Sequence, residues 1–133
     1  MEGVRGMDLK VKVGSAPCAV RLTLSTTQGR GLCGVLTGGV AHVGGVAYAV
    51  PRPKSSGEGL TADLSTICGP GHKDVYAAQT VAKQLCLATN ETVCICAGLH
   101  LDHASQAQIK EMMDNCTQAA QQAAEAYKKM GGQ

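Results

Sequence analysis

The sequence contains few aromatic side chains. Among its 133 residues there is no phenylalanine, no tryptophan and only three tyrosines (Tyr48, Tyr76 and Tyr127). A ligand with a flat ring would therefore find few rings to stack on, and would have to lie on backbone, aliphatic side chains, His or Tyr. The hydrophobic fraction of 44% still excludes an intrinsically disordered chain.

Long apolar runs and basic runs are also missing. No apolar stretch reaches the roughly 20 residues that a membrane span requires, and the Lys and Arg residues are dispersed, with a net charge of +2. These features exclude membrane and nucleic acid as expected partners. The first residues, MEGVRGMDLK, lack the apolar core of a signal peptide. We therefore expect a cytoplasmic protein with a single domain spanning residues 1–133.

The seven cysteines match no metal-binding or redox motif. No CxxC is present and the number is odd, so buried free thiols are favoured over a disulfide framework. Cys94 and Cys96 alternate on a predicted strand and should point to the same face. For this pair, core packing is favoured over metal binding.

Strands dominate the predicted first half. Apolar residues alternate or cluster at residues 9–13, 20–24, 32–36, 43–50 and 60–68, with turn signals between them, which favours antiparallel pairing through short connections. Residues 51–59 (PRPKSSGEG) are predicted to form a mobile loop. The termini, residues 1–6 and 131–133, are expected to be disordered.

The second half alternates helix, strand and helix. Apolar spacing predicts a helix from Asp74 to about residue 88, a strand over residues 92–97, and a helix that Ser105 and Gln108 begin as a capping box. The last helix carries one apolar stripe: Ile109, Met112, Met113, Cys116, Ala120, Ala123 and Tyr127. The predicted fold is α+β, with a mostly antiparallel sheet of five or six strands and two helices on one face. One sheet face, or the Ala- and Met-rich face of the last helix, is left for another subunit, which favours a homodimer.

Three segments are candidates for a ligand-binding site. Residues 37–45 (TGGVAHVGG) surround His42 with glycines, which allow close approach of backbone to a ligand. Residues 69–74 (GPGHKD) precede the first predicted helix, whose N-terminal N–H groups attract anions, and Lys73 adds positive charge. Residues 97–103 (AGLHLDH) follow the carboxyl end of a strand, where ligands often bind in α/β structures.

Each segment also has a purely structural interpretation. Residues 37–45 would suit a glycine-rich hairpin with a surface histidine, and Asp74 would suit an acid that helps a helix begin. Asp102 can orient either His100 or His103, and His103 itself is interpreted as a helix-entry residue. The three histidines His42, His72 and His100 would suit zinc. However, no HxH or HxxxH pair supports a metal site, and no GxSxG motif supports a nucleophile.

At these segments the chain resembles a known family, the LpdD-like proteins found beside UbiD-type decarboxylases such as gallate decarboxylase. The matching pieces, in matching order, are TGGVAHVGGV (37–46), GHKD (71–74), AGLHLD (97–102) and SQAQIKEMM (105–113). The resemblance implies a fold like that of proteasome assembly chaperones, and a dimer. It also implies a non-catalytic chaperone that binds reduced prenylated flavin mononucleotide, made by a UbiX-type prenyltransferase, and delivers it to apo UbiD-type decarboxylases.

The cofactor-binding residues that we expect are those at which the sequence matches these motifs. They are Thr37, Gly38, Gly39, His42, Gly44, Gly71, His72, Lys73, Asp74, Gly98 and His100. We expect the phosphate near Gly71, His72 and Lys73, and the ring system over residues 37–45, with His42 and His100 at its polar edge. Two alternatives stay open: a small His-dependent, metal-dependent lyase or hydrolase, and a purely structural assembly partner of a decarboxylase.

Overall fold

Strands fill the first half of the molecule, and two helices flank the last strand in the second half. The computed structural model describes residues 7–70 and 74–131. Its elements are β1 (Asp8–Val13), β2 (Val20–Thr26), β3 (Leu32–Gly39), β4 (Gly45–Pro53), β5 (Leu60–Cys68), α1 (Asp74–Thr89), β6 (Val93–His100) and α2 (Gln106–Lys129). The predicted α+β class, with a six-stranded, mostly antiparallel sheet and two helices, is confirmed.

The strand order is β1-β2-β3-β6-β4-β5, so the last strand lies in the middle of the sheet. β6 runs parallel to β3 and antiparallel to β4. The expectation of short antiparallel connections is therefore wrong between β3 and β4, which do not pair with each other. The physical reason is burial: Val93, Ile95 and Ala97 are fully buried, and a strand with such an apolar row is best placed between two neighbours.

Both helices pack on one face of the sheet. Residues of period two on the strands, including Leu22, Leu24 and Leu36, are fully buried beneath them. α1 lies on β4, β5 and β6, whereas α2 lies on β1 and β2 and against α1. No helix within residues 7–70 and 74–131 is long and apolar enough to cross a membrane.

The opposite face of the sheet carries no element of the described chain. Val35 and Tyr48, on β3 and β4, are about half exposed there. By contrast, Ala119, Ala120 and Ala123 of α2 are fully buried. The alternative that the alanine face of the last helix meets another subunit is therefore wrong, because these small side chains pack in the core of this chain.

Several predicted boundaries change. Pro51–Pro53 belong to β4, so the predicted loop 51–59 shortens to residues 54–59. Pro51 and Pro53 follow Ala49, which is the last residue of β4 that pairs with β6. Because proline has no backbone N–H, it is tolerated at positions where no hydrogen bond to β6 is needed. The expectations for residues 1–6, 132 and 133 lie outside the described residues.

The cysteines differ in their exposure. Cys18, Cys86 and Cys116 are buried, as predicted, but Cys33 and Cys68 are exposed. The expectation of buried thiols is wrong for these two because they lie outside the helix-covered core.

Candidate functional site

Two of the three candidate segments meet at one edge of the sheet. β3 and β6 are parallel, so their carboxyl ends coincide, with Gly39 opposite His100. β4 begins at the same edge with Gly45, and α1 begins there with Asp74. Residues 37–45 and 97–103 are thus brought together with Asp74, as a single site requires. Gly71, His72 and Lys73 lie outside the described residues.

Asp74 is the link between these elements. It is the first residue of α1 and is only 8% exposed. Its Oδ1 accepts a hydrogen bond from the backbone N–H of Leu99 at 2.8 Å, and its Oδ2 lies 2.9 Å from Nε2 of His42. One buried carboxylate therefore joins the start of α1, the end of β6 and the loop between β3 and β4.

The surroundings of His42 favour its protonated form. Its Nδ1 lies 2.9 Å from the carbonyl oxygen of Val40, which can only accept, so Nδ1 carries a proton. Its Nε2 faces the carboxylate of Asp74, which favours a second proton. The hydrogen bond to Val40 and the pairing with Asp74 together raise the pKa of His42, against burial, which lowers it. The site therefore places an imidazole with a raised pKa beside a buried carboxylate.

The glycines of the candidate segments allow backbones to approach one another. A Cβ at Gly98 would overlap the carbonyl oxygen of His42, and one at Gly44 would overlap the Asp74 carboxylate. Gly39 has a φ of 64° and lies against the carbonyl of His100, a backbone conformation that favours glycine. These residues let the loop lie flat on β6, so their role in this structure is packing.

Thr37 and Gly38 occupy opposite faces of β3. A Cβ at Gly38 would come within 2.9 Å of Cε of Met112 and 3.1 Å of Cδ2 of Leu99, so Gly38 makes room for these side chains beneath the helices. Thr37 is partly buried on the other face. Neither residue lines the cavity at this edge of the sheet.

A cavity of about 350 Å³ opens between the first turns of the two helices and the end of β6. Its lining is His42, Asp74, Ala77, Leu99, His100, Leu101, Ala104, Ile109, Met112 and Met113. Three polar residues therefore stand against a wall that is otherwise aliphatic or thioether. The volume falls within the range of small-molecule sites.

The wall formed by α2 was missed in the sequence. The sequence predicts Ile109, Met112 and Met113 as part of one apolar stripe of the last helix, without a role in the ligand site. In the structure Met112 is buried, whereas Ile109 is 47% exposed at the cavity. The sequence did contain a signal for this apolar wall. Long apolar side chains cluster in the first turns of the last helix, which directly follows the third candidate segment.

His100 stands at the mouth of the cavity. Its Nε2 lies 2.7 Å from Oδ1 of Asp102, and both side chains are more than half exposed. Of the two histidines that Asp102 could orient, it therefore orients His100. His103 is exposed and does not line the cavity, and its φ is 54°.

The entrance to α2 is fixed by the predicted capping box. The N–H of Gln108 donates to Oγ of Ser105 at 3.1 Å, and the N–H of Ser105 donates to Oε1 of Gln108 at 2.9 Å. Because the cap holds the first turn of α2, it also holds the Ile109 side of the cavity. Among residues 7–70 and 74–131, no group of three His, Cys, Asp or Glu side chains is arranged to hold a metal ion.

The family of the chain follows from comparison of its sequence with family models. Residues 14–128 match the model described as the prenylated flavin chaperone LpdD-like domain. The chain belongs to this family. The match spans β2 to β6, nearly all of α2 and every candidate site residue, so the cavity lies in the part of the chain that defines the family. A search of curated proteins finds no significant match.

The fold is similar to that of a solved chaperone. One chain in the crystal structure of a chaperone complex for yeast 20S proteasome assembly superposes with a TM-score of 0.58. The alignment covers 95% of this chain and 98% of that chain, at 12% sequence identity. This similarity confirms the predicted proteasome-assembly-chaperone-like fold.

Proposed function

We propose that the chain is a non-catalytic chaperone that binds reduced prenylated flavin mononucleotide in this cavity and delivers it to apo UbiD-type decarboxylases. The observation that carries the proposal is the cavity itself: two histidines, of which His42 has a raised pKa, face a wall of aliphatic and methionine side chains. It lies in a chain of the prenylated flavin chaperone family. An apolar pocket with a few polar groups is typical of cofactor binding.

The ring system of the cargo is proposed to lie against α2. Leu99, Ile109 and Met113 offer an apolar surface, and methionine adapts its shape to an irregular ligand. Prenylation adds hydrocarbon to the flavin, which such a wall accommodates. Placement over residues 37–45 is less favoured, because Gly39 and Gly44 are already packed against His100 and Asp74.

The two histidines are proposed to have different roles. Both ring nitrogens of His42 already face oxygen atoms, so His42 offers positive charge rather than a new hydrogen bond. His100 is bonded to Asp102 through Nε2, which leaves Nδ1 for the polar edge of the cargo. Because no covalent step is assigned to either residue, the proposed work of the site is holding and release.

The phosphate of the cargo is proposed to bind near Gly71, His72 and Lys73. The support is their sequence position, directly before the confirmed start of α1 at Asp74. The Asp74 carboxylate would repel a phosphate, but pairing with His42 in its protonated form would offset that charge. The positive end of the helix and Lys73 then favour the anion.

The proposed partners follow from this carrier role. A UbiX-type prenyltransferase would supply the cargo, and an apo UbiD-type decarboxylase would receive it. A homodimer, expected from the sequence, is proposed as the working form.

Anaerobic titration of reduced prenylated flavin mononucleotide tests the proposal. We expect saturable binding to the wild type and weaker binding to Ile109→Gln, His72→Ala and Lys73→Ala. Loss of the apolar contact at Ile109 should weaken binding by roughly 5- to 30-fold. Leu87→Gln is the matched control, because Leu87 is an exposed helical aliphatic residue outside the cavity.

The outcomes separate the three candidate functions. Absence of flavin binding together with retained binding to a decarboxylase would favour a structural assembly partner. Stoichiometric zinc in the purified protein, with loss of function in chelator, would favour an enzyme. Unchanged affinity in both His72→Ala and Lys73→Ala would exclude the proposed phosphate position.

A further inference from the structure

A row of cysteines runs across the uncovered face of the sheet, away from the cavity. Cys33 of β3 and Cys94 of β6 are direct partners in the parallel register. Both point away from the helices, since their neighbours Leu32, Gly34, Val93 and Ile95 are buried on the helix side. Cys33 is exposed and Cys94 is partly buried. The two thiols are therefore side by side on a surface that no other described element covers.

We propose that Cys33 and Cys94 form a redox-active dithiol, which disulfide oxidants such as glutathione disulfide convert into a disulfide within one chain.

The register places the two α-carbons within reach of each other. Adjacent strands lie about 4.7–4.9 Å apart, inside the range of Cα separations that disulfides adopt. The thiols already interact: burial raises the pKa of Cys94, and the neighbouring thiols of Cys33 and Cys96 raise it further, Cys33 partly through a hydrogen bond. No side chain lies between the two thiols, because Cys33 and Cys94 are direct strand partners. Their outer partners are Ser25, opposite Cys33, and Tyr48, opposite Cys94.

The reaction is a two-step thiol–disulfide exchange. The thiolate of exposed Cys33 attacks one sulfur of glutathione disulfide, forming a mixed disulfide at Cys33 and releasing one glutathione thiolate. The thiolate of Cys94 then attacks the Cys33 sulfur and releases the second glutathione thiolate. Two protein thiols are oxidised, one glutathione disulfide is reduced, and the two thiol protons pass to the released glutathiones.

The resulting disulfide should be readily reduced. Parallel strands hold paired side chains nearly as far apart as their α-carbons, whereas a disulfide prefers its β-carbons about 3.8 Å apart. The strands must therefore approach by about 1 Å, and the strain favours the dithiol. Reversible chemistry of this kind suits a sensor better than a structural crosslink.

The test uses intact protein treated with glutathione disulfide, followed by alkylation and peptide mass mapping. In the wild type we expect a Cys33–Cys94 linked peptide that glutathione reverses. We expect half of this disulfide to be reduced at a relatively low ratio of glutathione to glutathione disulfide. That ratio should be at least about tenfold lower than the ratio that reduces half of a structural disulfide. In Cys94→Ser we expect the glutathione adduct to accumulate at Cys33, because no partner thiol releases it. Cys68→Ser is the control, since Cys68 is also exposed but has Gly45 as its strand partner.

Three results would overturn the proposal. The first is equal accumulation of the Cys33 adduct in the wild type and in Cys94→Ser. The second is a disulfide between two chains, seen as a product of doubled mass on a non-reducing gel. The third is a linked peptide that joins Cys33 or Cys94 to a different cysteine.

Discussion

Oδ2 of Asp74 lies 2.9 Å from Nε2 of His42, across a gap of 32 positions in the chain. The same carboxylate accepts the backbone N–H of Leu99 through its other oxygen. The pair therefore fastens the loop between β3 and β4 to the start of α1 and to β6. Because this contact forms one end of the cavity, the stability of the site and its electrostatics depend on the same two side chains.

The contribution of His42 to stability should depend on pH. A pKa that is raised in the folded state means that the stabilisation is fully present below the ordinary pKa of about 6.5 and is lost as the pH rises through the folded pKa. His42→Gln should therefore lower the free energy of unfolding more at about pH 5.5 than at about pH 9. Urea unfolding at both pH values measures this, with the exposed His103→Gln as control. An equal loss at both values would contradict a raised pKa of His42 in the folded state.

Asp74 should tolerate asparagine better than alanine. Asp74→Ala removes the acceptor for Leu99 and the partner of His42, and should cost about 2–4 kcal/mol of unfolding free energy. Asp74→Asn keeps one acceptor oxygen for the N–H of Leu99 but loses the charge and the oxygen that faces His42, so a loss of about 1–2 kcal/mol is expected. Asp114→Ala, which breaks an exposed pair with Lys110, should cost less than about 0.5 kcal/mol. Equal losses for Asp74→Ala and Asp74→Asn would show that the pairing with His42, and not the bond to Leu99, carries the stabilisation.

Gly98→Ala should displace the loop that carries His42. The new methyl group would overlap the His42 carbonyl, and relieving the overlap should cost about 1–3 kcal/mol. Affinity for reduced prenylated flavin mononucleotide should fall at least about tenfold, which corresponds to 1.4 kcal/mol. Gly29→Ala is the control, because a Cβ at Gly29 meets no atom within 4 Å. If Gly98→Ala binds with wild-type affinity, the position of the loop that carries His42 does not affect binding.

Tyr127→Phe should lower stability without affecting binding. The hydroxyl of Tyr127 donates to Oε2 of buried Glu91 at 3.1 Å, at the end of β6 that lies away from the cavity. Loss of this bond leaves a buried carboxylate oxygen without its donor, at a cost of about 1–3 kcal/mol. Thermal or urea unfolding measures the loss, and flavin titration of the folded variant should give the wild-type affinity. A reduced affinity would indicate coupling along β6.

Features that depend on neighbours in the sequence were predictable. The alternation along β2 indicated that Val20, Leu22 and Leu24 share one face, and all three are fully buried. The capping box of α2 was recognised from Ser105 and Gln108, because the motif spans a single helical turn. The convergence of residues 37–45 and 97–103 was also indicated by glycine and histidine clustered at the strand ends, and the structure brings these segments to one edge of the sheet.

Features that depend on distant pairings were not predictable. The insertion of β6 between β3 and β4 depends on which strands pair, and a period of two carries no information about partners. Similarly, Ile109 and Cys116 belong to one apolar stripe of α2, and the helical period does not distinguish their environments. In the structure Ile109 faces the cavity, whereas Cys116 is fully buried. The contact of His42 with Asp74 was missed for the same reason, because it requires two separate elements to meet.

The central position of β6 has a consequence for the growing chain. Until Val93–His100 has been synthesised, β3 and β4 each present an edge without its partner strand, and such edges promote aggregation. Two of the residues that position the site, Leu99 and Gly98, also arrive only with this strand. A nascent chain or a truncated fragment that stops before β6 should therefore neither form the cavity nor stay soluble, so the proposed binding of cargo would require the last third of the protein.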